Sequence, residues 1–110
     1  MSRKDQLVRL RQLSGLVLDL RLSELHTAAR ARAQSLERLA GLAVPQANDL
    51  PPSAAAQAGL RYQRWADARR AEINTQLARE TAVWLEAQVS ARQALGQSQA
   101  LESVQKKLRL

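Results

Sequence analysis

The reactive side chains of this chain do not assemble into a catalytic site. His26 is the single histidine, the chain has no cysteine, and no cluster of carboxylates lies near His26 in the sequence. One imidazole cannot complete a zinc site, which needs three or four protein ligands. The serines and aspartates are scattered, without the nucleophile, base and orienting group that covalent catalysis requires, and no glycine-rich phosphate loop is present. The inventory predicts a chain that is not an enzyme and binds no metal and no cofactor, with His26 a solvated helix residue. The lack of cysteine also removes disulfides and fits a reducing compartment such as the cytoplasm.

What the inventory does offer is positive charge and three large aromatics. Seventeen Lys and Arg face ten Asp and Glu, a net charge of +7, which favours an acidic partner of some kind. Arg30 and Arg32, then Arg61 and Arg64 with Tyr62 and Trp65, then Arg69 and Arg70, are the residue types of a nucleic-acid surface with stacking aromatics. Asp67 and Glu72 interrupt that surface, whereas a phosphate-tracking face is more uniformly positive, so a solvated helix face is the better reading. Tyr62 and Trp65, three residues apart, share one helix face and serve either packing or docking. Trp84 reads as a core residue.

The elements that position these side chains are helices. Apolar residues make up 45% of the chain, with no Phe; they are mostly Ala and Leu, which lose little rotamer freedom in a helix. Residues 4–44 contain no Pro, and Leu18, Leu22, Leu25, Ala29, Ala33, Leu36, Leu39 and Ala43 recur in steps of three and four. Leu7, Leu10, Leu13, Val17 and Leu20 continue the period on a shifted face, with Gly15 a weak point. All three prolines fall in 45–53, the predicted loop. Ser53 is placed to cap a second helix over 54–108. Its stripe reads Ile73, Leu77, Trp84, Ala87, Ala91, Ala94, Leu101 and Leu108, and Glu80, Ser98 and Gln105 occupy the same heptad seam.

Neither helix can bury its stripe alone, so the expected fold is all-α: two long helices forming an antiparallel coiled-coil hairpin, one domain over 1–110. At about 1.5 Å of rise per residue the helices span roughly 60 and roughly 85 Å. Pairing outward from the loop would bring Leu25 near Leu77 and leave 95–110 as an unmatched tip. That tip carries Lys106, Lys107 and Arg109, with Arg3, Lys4, Arg9 and Arg11 near its base. No apolar run is long enough for a membrane span or a signal peptide, so a soluble, cytoplasmic protein is expected.

A basic helix-loop-helix of this size resembles the flagellar type III export stalk family (FliJ-like), with the related stalk proteins of injectisomes. The residues that carry the likeness are the Leu- and Arg-rich opening at 7–25, Tyr62-Gln-Arg-Trp65, and the run Ser-Ala-Arg-Gln-Ala-Leu-Gly-Gln-Ser-Gln-Ala-Leu-Glu at 90–102. It covers most of the chain, which departs from the family in its shorter length and Pro-rich loop. The resemblance implies a stalk whose paired termini enter the hole of a hexameric export ATPase while its flank or loop end contacts the export gate, peripheral to the inner membrane. Carried onto this sequence, Arg3, Lys4, Arg9, Arg11, Lys106, Lys107 and Arg109 would face the ATPase ring, and Tyr62, Trp65 and Arg69 the gate. The residues leave two other readings open: a basic coiled coil that binds nucleic acid, or an assembly adaptor or chaperone whose seam opens to a third helix at Arg32, Glu80 and Gln105.

Overall fold

In a computed structural model, which describes residues 2–42 and 50–109, the chain forms α1 (Arg3–Ala40) and α2 (Pro52–Leu108), of 38 and 57 residues, paired as an antiparallel helical hairpin. Ser2 caps α1: its hydroxyl accepts the Asp5 N–H at 3.2 Å and its carbonyl accepts the Gln6 N–H at 3.1 Å. Asp5, in the first turn, faces the positive end of the helix dipole. The helix closes through a tightened turn, with the Gly41 N–H on the Glu37 carbonyl and the Leu42 N–H on the Leu39 carbonyl.

Both inner boundaries differ from the expected ones. Helix α1 ends at Ala40 rather than at 44, at a glycine whose helix propensity is about 1 kcal/mol poorer than that of Ala; Ala43 and Val44 lie outside the described residues, as do positions 45–49 of the expected loop. Helix α2 begins at Pro52, and the Pro51 carbonyl accepts the Ala55 N–H at 2.8 Å. Ser53 is therefore the second helical residue and not the cap. Proline suits a first helical position because it has no N–H to leave orphaned there and its φ is preset.

The described residues fall into two compact units, one of Met1–Arg30 with Ala82–Leu110 and the other of Ala31–Thr81. In the first, Leu7, Ala28, Ala91 and Ala94 are buried, and the Arg11 guanidinium donates to the Gln105 side-chain oxygen. In the second, Leu42, Ala66 and Ile73 are buried, the Ser35 hydroxyl donates to the Glu80 carboxylate, and Arg32 Nε donates to Thr81 Oγ1 at 3.2 Å. The non-exposed positions of α2 keep the expected heptad from Ile73 through Gln105; Trp84 is half-buried on it.

The register is not the expected one. Leu25 and Leu77 fall in different units, and Leu25 shares a cavity with Ala91 and Leu95 instead. The expected pairing would have set Arg32 against Arg70, two like charges in one seam. The observed pairing gives Arg32, Ser35, Glu80 and Gln105 hydrogen-bond partners on the facing helix, as polar seam positions have when they specify register. One consequence is that 95–109 is not an unmatched tip: Gln105 meets Arg11, and Leu108 and Arg109 share a cavity with Lys4 and Leu7. The other is that α2 extends past the last turn of α1 at its beginning.

The α1 seam also corrects the stripe read from sequence. The least exposed positions of α1 and the turn that closes it include Leu7, Ser14, Leu18, Arg21, Leu25, Ala28, Arg32, Ser35, Leu39 and Leu42, a three-four spacing that shares Leu18, Leu25 and Leu39 with the expected stripe. Leu22 and Leu36 are exposed, as are Leu10, Leu13, Leu16, Val17 and Leu20.

Candidate partner-binding surfaces

The seven basic residues expected to meet one partner all belong to the first unit. Arg3, Lys4, Arg9 and Arg11 lie in the opening turns of α1; Lys106 and Lys107 end α2 and Arg109 follows it. Antiparallel pairing is what joins residues so far apart in sequence: Lys4 and Arg109 line one cavity with Leu7, Gln105 and Leu108. Against these seven cations the same stretches carry only Asp5 and Glu102, so five of the chain's net seven positive charges gather here.

The seven are not equivalent. Arg11 is engaged with Gln105, so its guanidinium is directed along the seam. Lys106 sits 3.4 Å from Glu102, both largely exposed, and such a pair holds its charges only weakly. No structured ion pair among the described residues engages Arg3, Lys4, Arg9, Lys107 or Arg109. A concentration of cations on exposed helix ends raises the local density of an acidic partner and its rate of encounter.

Tyr62, Trp65 and Arg69 belong to the second unit. The rings of Tyr62 and Trp65 are 5.6 Å apart at 45°. Trp65 remains 56% exposed, so the docking alternative for this pair keeps a large accessible ring, while Tyr62 is half-buried beneath it. Trp65 and Arg69 line a shallow cavity with Ala68 and Glu72. Arg69 is tied to Glu72 at 3.0 Å, and Arg70 to Asp67 at 2.7 Å. With Arg32 on Thr81, three of the arginines that suggested phosphate contacts have partners within the protein.

Two apolar grooves were not foreseen as sites. Both flank the seam of the first unit: Leu18, Leu22 and Leu25 with Ala91 and Leu95 on one side, and Leu10, Leu13 and Val17 with Ala100 and Leu101 on the other. The signal was present in the shifted run from Leu7 to Leu20, which reads as a continuation of the core only while the seam is assumed to be apolar throughout.

Among the described residues there is no group of three or more potential metal ligands, and His26 is exposed on α1. No helix of the described residues is long and apolar enough to cross a membrane. No family model, curated protein or solved structure matches the chain.

Proposed function

We propose that the chain is a stalk and adaptor of a type III protein export apparatus in the cytoplasm, binding the export ATPase ring through Arg3, Lys4, Arg9, Arg11, Lys106, Lys107 and Arg109. The aromatic patch of Tyr62 and Trp65, with Arg69, is the surface offered to the export gate. The observation that supports this reading best is the gathering of basic residues from both helix ends in one unit, beside a cavity lined by Lys4, Leu7, Leu108 and Arg109. Cations so arranged steer a helical pair into an acidic channel, and a seam with hydrogen-bonded polar positions resists sliding of one helix on the other.

The test is the turnover of a purified export ATPase with and without the chain. Addition is expected to raise turnover, and Lys106→Glu, Lys107→Glu and Arg109→Glu together are expected to abolish the increase while leaving helix content unchanged. Unchanged turnover with the parent chain rejects the reading. If instead the chain binds nonspecific duplex with a salt slope of several phosphate contacts, the basic surface serves nucleic acid.

A further inference from the structure

The groove of Leu10, Leu13 and Val17 belongs to a longer face of the first unit. Steps of three, four and seven residues along each helix return to the same side. On α1 this side runs from Arg3 through Leu10, Leu13, Val17 and Leu20 to Glu24, and on α2 from Glu86 through Ala100 and Val104 to Lys107. Its centre is apolar and open to water: Leu10 is 51%, Leu13 58% and Leu20 54% exposed. An exposed apolar face of this extent marks an interaction surface.

The charges on this face are ordered. Arg3 and Lys107 stand at one end and Glu24 and Glu86 at the other; Leu10, Leu13, Val17, Leu20, Ala100 and Val104 between them are uncharged, and Arg9 and Arg21 lie on the flanks of the face. Glu24 also lies 3.2 Å from Arg21, a pair exposed enough that its carboxylate remains available to an outside cation. A face that is basic at one end, apolar in the middle and acidic at the other is complementary to itself turned end for end. That is the requirement of a two-fold interface, in which the same patch serves both partners.

We infer that this face binds a second copy of the chain, α1 against the partner's α1 in antiparallel sense, with each Arg3 and Lys107 meeting the partner copy's acidic end. From Arg3 to Glu24 the helix advances about 32 Å, and two helices side by side are about 20 Å wide, giving on the order of 600 Å² per copy. Twice that is about the lower limit for a specific interface, so the dimer is a weak one that forms at micromolar concentrations and above. This inference does not depend on the export reading; a monomer can still stimulate an ATPase, and a dimer can fail to.

Sedimentation equilibrium of the full chain over a concentration series tests it. The parent is expected to dimerise with a dissociation constant that rises with salt, and Leu13→Glu is expected to leave a monomer with unchanged helix content. Arg3→Glu with Lys107→Glu makes both ends of the face acidic, and Glu24→Lys with Glu86→Lys makes both basic. Each double variant alone is expected to dimerise at least tenfold more weakly than the parent, and an equimolar mixture of the two to recover a heterodimer. A parent that stays monomeric throughout overturns the inference and leaves the groove to a different partner; so does a dimer indifferent to Leu13→Glu, or a mixture that fails to associate.

Discussion

Ser35 is the buried polar residue of the second unit, 1% exposed, and its hydroxyl donates to the half-buried carboxylate of Glu80. Replacing Ser35 by Ala strips a partly desolvated carboxylate of its donor. A hydrogen bond to a charged group contributes about 1.5–3 kcal/mol, and water reaching a half-buried Glu80 recovers part of this, leaving a loss of about 1–2 kcal/mol. Ala improves helix propensity over Ser by roughly 0.5 kcal/mol, so the expected net destabilisation is about 1 kcal/mol. Adding Glu80→Leu to Ser35→Ala removes both polar partners and lengthens the apolar seam. Buried polar pairs replaced together by apolar groups are often neutral or stabilising, so the double variant should equal or exceed the parent. The measurement is urea unfolding followed by far-ultraviolet circular dichroism on the parent, both single variants and the double variant. Additive effects, or a Ser35→Ala as stable as the parent, would refute the assignment of Ser35 and Glu80 as a coupled seam pair. The double variant also tests register: with the pair gone, sliding by whole heptads costs less.

Other expected outcomes follow from single features of the helices. Ser14 Oγ is buried with no hydrogen-bond partner among the described residues, so Ser14→Ala should raise stability by about 1 kcal/mol in urea unfolding, from relief of desolvation and better propensity together. A side chain at Gly15 would meet nothing within 4 Å, and Gly15→Ala should add about 1 kcal/mol by propensity; a loss would place a neighbour where none is seen. Because the chain has no cysteine, Leu25→Cys with Ala91→Cys can be compared with Leu25→Cys with Leu77→Cys. A short cross-linker should join the first pair in high yield and the second poorly, and the reverse would restore the register expected from sequence. In a Trp84→Phe background the emission of Trp65 should be quenched readily by acrylamide, and a shielded Trp65 would remove it from the candidate docking patch.

Helix type and the α2 seam were legible because composition and period agree over many turns: Ile73, Ala87, Ala91, Ala94 and Leu101 sit where a heptad puts them, and Glu80, Ser98 and Gln105 hold their seam positions despite their polarity. The α1 seam was misread for a physical reason. Hydrophobicity favours Leu22 and Leu36, while the chain turns Arg21, Arg32 and Ser35 inward, where a small hydroxyl and guanidinium stems covering apolar surface with their alkyl chains fit between close helices. Period alone cannot rank a leucine above an arginine one position away when both lie near the seam. Register was misread because pairing outward from a loop counts residues, whereas polar seam partners choose among sliding alternatives that bury similar apolar surface. The seven basic residues were legible as one end of the hairpin, but with the α2 members on an unmatched tip and the α1 members at its base; the observed register sets the two groups side by side, Lys4 and Arg109 lining one cavity.

The polar character of the α1 seam bears on what the outward leucines do. The hairpin closes on Leu7, Leu18, Leu25, Ala28, Leu39 and Leu42, with Arg32 and Ser35 hydrogen-bonded across the seam to Thr81 and Glu80, so Leu10, Leu13 and Leu20 contribute little to folding where they stand. Truncating exposed side chains of this kind changes stability within about 0.5 kcal/mol. Leu10→Ala, Leu13→Ala and Leu20→Ala should therefore leave the urea midpoint nearly unmoved while weakening any association the face supports, a separation that Leu25→Ala or Leu7→Ala cannot give. If the outward variants unfold as readily as the inward ones, the leucines belong to the core after all and the division between a polar-laced seam and a free apolar face is wrong.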